Sequence, residues 1–308
     1  MSRSALFIVN PAARNLPPPD RLAGAPAWLR LHGWRVAVEE TASAAHAAEL
    51  AASAARDGLD AVVAVGGDGT VNSVVNGLAG SNTALAVIPA GTANVWAKEV
   101  RLPRAPSAAA QVLHRGERRR VDLGRVGERY FLLFAGAGFD GHVNRLVPPG
   151  LKRRLGATAF VLTGLREAAR YRPVPARLTL DGEELAVHLV MLVVGNIRNY
   201  GGVVEVTDRA VADDGLLDVC AYVGRSRGQA VANALRTLAR RHNGAPGVLY
   251  RQAREVLLEP AVPLPLQVDG EDAGDTPARF RVVPRALTVV VPPGLESPVI
   301  PRRPPAAG

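Results

Sequence analysis

The chain has 308 residues, 48% hydrophobic and 21% charged, with a formal net charge of +9. That length suits about two domains, and the 31 glycines and 24 prolines are too few for a collagen-like or wholly disordered chain. A single cysteine, Cys220, excludes an intramolecular disulfide framework and a cysteine-cluster zinc site.

Residues 5–9 form a short apolar run closed by Asn10-Pro11, as a buried strand would be, and too short for a signal-peptide core. Residues 19–32 suit a helix, 34–38 a second strand, and the alanine-rich 42–57 a helix ending before Gly58. A buried strand over 61–65 runs straight into glycines; a helix over 71–78 and a strand over 85–88 follow. Strands separated by helices predict right-handed crossovers and a mostly parallel sheet, so the first half is α/β.

After about residue 120 the pattern changes. The runs 130–135, 176–180, 185–194, 216–222, 248–258, 264–268, 279–283 and 287–291 are short and mostly bounded by turn residues. They predict a mostly antiparallel β-sandwich, interrupted by helices near 152–170 and 226–241. The expected organisation is an α/β domain over 1–122, a sandwich over 123–295 and a flexible proline-rich tail over 296–308. The end of the chain is free to return to the first domain. No apolar run spans a bilayer, and a cytoplasmic protein is expected.

The positive charge is almost entirely arginine, with Lys98 and Lys152 the only lysines. Nucleotides, nucleic acid and anionic lipid headgroups would all be attracted by such a surface, but no nucleic-acid-binding motif accompanies it. The runs at 118–120 and 152–154 suit solvated faces. Residues 151–169 form a basic amphipathic segment that packs on the sandwich or rests on an anionic membrane surface.

The sharpest signal is Gly66-Gly67-Asp68-Gly69-Thr70, followed by Val71-Asn72, where a strand gives way to a helix. Open α/β sheets bind ligands at such turns: glycines admit a phosphate chain to the backbone amides, and the helix N-terminus adds positive potential. Thr70 is placed to cap the helix or bond a phosphate oxygen. The turn is not a Gly-x-x-x-x-Gly-Lys-Ser/Thr loop. It carries an aspartate, which beside phosphates needs a cation or a hydroxyl partner and so points to Mg²⁺-dependent phosphoryl transfer. A second glycine turn, Gly91-Thr92-Ala93-Asn94, follows the next strand and is expected beside the first. Asn10 to Arg14 and Thr41 also follow strands, and Thr41 suits a helix N-cap.

Further markers are Gly136-Ala137-Gly138-Phe139-Asp140, Gly195-Asn196 with Tyr200-Gly201-Gly202, Asp213 to Asp218, and Val268-Asp269-Gly270-Glu271. In this order the set resembles the diacylglycerol kinase catalytic family, which includes sphingosine kinases and bacterial lipid kinases, over nearly the whole chain. The resemblance implies a phosphofructokinase/NAD kinase-like α/β domain, a β-sandwich lipid domain and an active site in the cleft between them. It implies ATP contacts from Asn10, Pro11, Ala12, Ala13, Arg14, Thr41, Gly66, Gly67, Asp68, Gly69, Thr70, Val71, Asn72 and Thr92. Glu271 takes the proton-acceptor position; a structural Mg²⁺ would use Asp214 with the carbonyls of Val211 and Leu216, and a catalytic Mg²⁺ would sit near Asp68.

The expected partners are a lipid substrate and, transiently, an anionic membrane surface; a homodimer is allowed. Asp-Gly-Glu occurs twice, and at 181–183 it reads as an ordinary hairpin, whereas at 269–271 the acids that follow exceed what a tight turn needs. His142, Arg198 and Tyr200 are further candidates for the lipid end. Val95 stands where the family often has aspartate, Val203 where a third glycine is common, and Asp208 where proline is frequent. The rival readings are an NAD kinase-like small-molecule kinase and a non-catalytic nucleotide- or lipid-binding regulator.

Overall fold

The computed structural model describes residues 2–148, 162–164, 166–167, 170–202, 204–224, 228, 232–233, 236–237, 239, 242 and 244–301. Val203, the basic run 152–154 and most of both expected helices in the second half lie outside these residues. The chain forms two compact units, one of Met1–Leu123, Val211–Asp213 and Pro284–Gly308, the other of Gly124–Ala210 and Asp214–Val283.

The first unit alternates β1 (Ser4–Val9), α1 (Pro19–Leu31), β2 (Arg35–Glu40), α2 (Ala44–Arg56), β3 (Ala61–Gly66), α3 (Asp68–Leu78) and β4 (Ala84–Pro89). Helices α4 (Val95–Glu99) and α5 (Pro106–Arg115) follow, then β5 (Glu117–Val126). β1, β3 and β4 are buried nearly throughout, the continuous apolar run expected of parallel strands covered on both faces. Phe7, Val63 and Ile88 pack against Ala25 and Leu29 of α1 and Ala109, Ala110 and Leu113 of α5. The small residues let helices close in: a side chain at Gly77 of α3 would meet Ala48 O of α2. Helix α3 begins at Asp68, three residues before the predicted start, because the glycine turn itself supplies the first helical residues.

The second unit holds β6 (Arg129–Phe131), β7 (Phe134–Gly138), α6 (Phe139–Leu146), β8 (Val174–Leu180) and β9 (Glu183–Gly195). The short pair β10 (Asn199–Tyr200) and β11 (Val204–Glu205) precedes β12 (Leu217–Val223), β13 (Val248–Ala253), β14 (Glu255–Pro260), β15 (Pro265–Val268), β16 (Glu271–Asp275) and β17 (Ala278–Val291). Pairing runs β16-β15-β7-β9-β8-β14-β17, with β12 and then β13 beyond β9, and is antiparallel throughout. Leu178, Leu192, Val194, Val219, Val256, Val268 and Phe280 centre its core.

At three places the predicted strands divide or join differently from the observed ones, each time where an aspartate captures backbone amides. The run 130–135 divides after Phe131, where Asp269 accepts the N–H groups of Leu132, Leu133 and Phe134 at 3.1, 3.1 and 2.9 Å. The run 248–258 divides at Arg254, whose N–H donates to Asp181. Conversely, 279–283 and 287–291 are one strand, β17, carried through a left-handed Arg285 (φ 52°) whose N–H donates to Asp122 Oδ1 at 2.6 Å. The first part of β17 belongs to the second unit; its last part lies beside β4, completing the parallel order β17-β4-β3-β1-β2 of the first.

The tail expected to be flexible is held as far as Ile300. Ser297 Oγ donates to Glu99 O at 2.9 Å, Ala212 N–H donates to Val299 O at 2.8 Å, and Val299 and Ile300 are buried.

Candidate active site

In the first unit β2 lies on one side of β1, and β3 and β4 on the other. The winding of the sheet therefore reverses between β1 and β3, the place where open α/β sheets leave a crevice at their carboxyl ends. Asn10 closes β1 there. Its N–H donates to Val65 O at 3.0 Å, its Oδ1 accepts from Ala12 N–H at 2.9 Å, and its Nδ2 donates to Thr70 Oγ1 at 2.9 Å. Pro11, Ala12 and Arg14 are exposed and Ala13 is half-buried.

The two glycine turns lie back to back, as expected. A side chain at Gly67 would come within 3.1 Å of Gly91 Cα, and one at Gly91 would run into Gly67 Cα. Asn94, left-handed at φ 48°, closes the second turn on itself, accepting Gly91 N–H at 2.8 Å and donating back to Gly91 O at 2.9 Å. Asn15 ties the β1 loop to this turn through Gly91 O at 2.6 Å, a contact with no warning in the sequence beyond a polar residue in a loop. Thr92 is exposed on the rim.

Gly67 is the N-cap of α3 and offers no side-chain acceptor, so it does not cap the first turn, the end of a helix that favours an anion. Thr70 does not cap: it is the third residue of the helix, with its hydroxyl engaged by Asn10. Val71 and Asn72 are buried within α3, Asn72 Oδ1 accepting from Asn76 Nδ2 at 3.2 Å. Thr41 continues the β1 edge through Val9 O at 2.8 Å, but Ser43 is the residue that caps α2.

Asp68 is the first residue of α3, and its Oδ1 accepts Val95 N–H at 2.7 Å. Burial raises its pKa above the ordinary carboxylate value, against the lowering pull of the Val95, Asn94 and Asp68 amides and of Lys98. The carboxylate that the sequence left without a partner thus has one, and Val95 supplies it through its backbone.

In the second unit Asp214 Oδ1 accepts Leu216 N–H at 3.0 Å, and Gln252 Nε2 lies 3.5 Å from its other oxygen. Gln252 and Tyr250 also donate to Asp218 at 3.2 and 2.7 Å. Burial pushes the Asp218 carboxyl up to about 6, those two bonds lower it, and the charges of Asp214 and Asp208 add to the rise.

Glu271 is exposed at the start of β16 and faces Val268 across the hairpin. Asp269 and Gly270 at its tip have φ of 48° and 84°, the same left-handed pair as Asp181 and Gly182 at 46° and 91°. Both Asp-Gly-Glu sequences therefore form two-residue hairpin turns, and the extra acids after 271 do not prevent one. Behind the tip, Gln267 donates to Asp140 Oδ2 and accepts Gly270 N–H, both at 2.7 Å. Asp140 is buried, which lifts its pKa to about 7 despite the Gln267 bond. His142 lies 3.7 Å from Glu167, and Tyr200 stacks on Phe134.

Among the described residues, no helix is long and apolar enough to cross a membrane.

Residues 4–126 match the diacylglycerol kinase catalytic domain, and 134–291 match the YegS C-terminal NAD kinase beta sandwich-like domain. The chain is 33% identical over 292 residues to a probable lipid kinase YegS-like protein of Chromohalobacter salexigens, covering 94% of this chain and 93% of that one. It is 36% identical over 277 residues to a diacylglycerol kinase of Mycobacterium tuberculosis, covering 87% and 89%. A crystal structure of a diacylglycerol kinase from Bacillus anthracis superimposes with a TM-score of 0.78 at 24% identity, over 95% of this chain and 98% of that one. The likeness to that structure is one of fold. The chain belongs to the diacylglycerol kinase family of lipid kinases, phosphotransferases with an alcohol acceptor.

Proposed function

We propose that this protein transfers the γ-phosphate of ATP, with Mg²⁺, to a hydroxyl of diacylglycerol or a related lipid drawn from an anionic membrane surface. The observation that carries the reading is the meeting of Asn10, Gly67, Thr70 and Gly91 at the switch point of the parallel sheet, beside an uncapped helix start. The first amides of α3 would hold phosphate oxygens, and Asn10 to Arg14, Thr41 and Thr92 would border the nucleotide. Glu271, exposed on its hairpin, would take the proton of the acceptor hydroxyl as that oxygen bonds to the γ-phosphorus and ADP leaves.

A structural Mg²⁺ would use the Asp214 carboxylate, one oxygen of which accepts Leu216 N–H, with the backbone carbonyls of Val211 and Leu216, oxygen ligands of the kind Mg²⁺ takes. The carboxylate of Asp68 would serve a second ion near the phosphates. Bound Mg²⁺ would supply neutralisation of phosphate charge.

The test is transfer of labelled γ-phosphate from ATP and Mg²⁺ into a mixed lipid extract. Wild type should make a labelled phospholipid whose mass names the acceptor. Folded Glu271→Ala and Asp68→Ala should each lose roughly 10²- to 10⁴-fold of that activity. ATP binding with no lipid product would overturn the reading, and NAD would then be the next acceptor to try.

A further inference from the structure

We propose that Gln267, held by Asp140 of α6, is a positioning residue for Glu271, an inference that rests on the reading of Glu271 as the proton acceptor. The need for such a residue follows from where Glu271 sits. It is exposed and directly follows a two-residue turn, and the tip of a hairpin is the part of a sheet least restrained by its neighbours. Proton transfer requires the base within hydrogen-bond reach of the hydroxyl, and a displacement of about 1 Å costs on the order of 100-fold in rate.

Gln267 alternates with Leu266 and Val268, which enter the apolar core, so its side chain leaves the other face of β15. There it is 1% exposed, with both ends of its amide engaged. Oε1 accepts the N–H of Gly270, the residue that carries Glu271, and Nε2 donates to Asp140 Oδ2, each at 2.7 Å. A backbone N–H only donates, so the orientation of the amide is fixed. The tip is thus tied to α6 by a buried polar link where an apolar side chain would satisfy packing alone.

The helix is pressed into place to make that link. A side chain at Gly136 would run into Asp140 Oδ2, and one at Gly141 into Pro265 O of β15. One turn beyond Gly141, Arg145 grips the far strand, bonding Asp272 and Asp275 at 2.9 Å and Gly274 O at 2.5 Å. Asp269 anchors the other flank through the amides of Leu132, Leu133 and Phe134. Gly136 and Asp140 of the Gly136 to Asp140 motif, to which the phosphoryl-transfer reading gave no role, are accounted for as the seat of this clamp.

The experiment is steady-state kinetics of lipid phosphorylation on Gln267→Met, Asp140→Asn, Glu271→Gln and the double variant Gln267→Met/Glu271→Gln. Methionine keeps the length of glutamine without its hydrogen bonds; asparagine at 140 keeps an acceptor for Gln267. Gln267→Met should lower kcat about 10- to 100-fold with KM for ATP within about twofold, and Asp140→Asn should stay within about threefold of wild type. In the double variant Gln267→Met should cost less than about twofold beyond Glu271→Gln, because the group it positions is already lost.

Wild-type kcat in Gln267→Met beside a crippled Glu271→Gln, or losses that multiply in full in the double variant, would overturn this inference alone. Full activity in Glu271→Gln would overturn the proton-acceptor reading and this inference with it. Should Gln267→Met not fold, Arg145→Met on the exposed end of the clamp reads the same split: a several-fold fall in kcat at unchanged KM supports the clamp, and wild-type kcat overturns it.

Discussion

At Asp68 the carboxylate does two things that asparagine would separate. It receives Val95 N–H at 2.7 Å, and it places negative charge beside the first glycine turn. Asparagine keeps an acceptor for Val95 while removing the charge. If the charge serves phosphoryl transfer, Asp68→Asn should fold and bind ATP within about threefold of wild type, yet lose roughly 100-fold or more in kcat. Calorimetric ATP binding beside turnover measures both, and a fully active Asp68→Asn would reduce this residue to a loop tie. Gly91 answers a different question. A methyl group there meets the Gly67 backbone at Cα, which cannot swing aside as a side chain would, so Gly91→Ala should force the two turns apart, with about 1–3 kcal/mol lost in urea unfolding and a weakened affinity for ATP.

Among the elements, the two Asp-Gly-Glu hairpins test what an aspartate at a turn contributes. Asp181 accepts the N–H groups of Arg254 and Glu255 at an exposed site, whereas Asp269 is 7% exposed and accepts three amides. Removing the carboxylate leaves buried amides unpaired only in the second case, and each such group costs about 1–3 kcal/mol. Asp269→Ala should therefore lose about 3 kcal/mol or more in chemical denaturation and Asp181→Ala about 1 kcal/mol; equal losses would refute the distinction. The same pair marks how far the sequence reached. The 181–183 hairpin was legible because its signals are local. The turn at 269 was obscured by its acidic neighbours, and the amides that occupy Asp269 lie 135 to 137 residues away. Likewise Pro284-Arg285 looked like a strand boundary because the carboxylate of Asp122 that carries β17 through it is 163 residues distant. The glycine turns and their adjacency were readable, since strand order follows from alternating apolar runs. Gln267 was not, since a lone glutamine between two apolar residues has no local signature of what it bonds.

For the molecule as a whole, the net charge of +9 governs solubility and association with anions, while the pH dependence of stability rests on buried carboxyls. Burial lifts Asp140 to about 7 and Asp218 to about 6, both from an ordinary 3.8. A pKa raised by folding means the native state holds its proton longer than the unfolded chain does. The corresponding stability is complete below about pH 4 and is lost as the pH climbs through 6 and 7. Each tenfold gain in proton affinity on folding is worth about 1.4 kcal/mol, so Asp140 alone accounts for roughly 4 kcal/mol of that loss. Asp272, lowered by its Arg145 hydrogen bonds, and Glu255, lowered by those of Arg281, act in the opposite sense, but at the acid end, below the ordinary carboxylate range. Asp68, also raised by burial, adds to the loss, and His114, lowered from 6.5 by burial, opposes it below that value; the large shifts of Asp140 and Asp218 dominate the slope between pH 5 and 7.5. With a chelator present, so that no cation at Asp214 offsets Asp218, the Tm of wild type should fall across that interval. Asp140→Asn should flatten the fall, matching wild type near pH 4.5 and exceeding it by several degrees at pH 8. A wild-type Tm that stays level or rises from pH 5 to 7.5 would mean that these carboxyls ionise in the folded state as readily as in water.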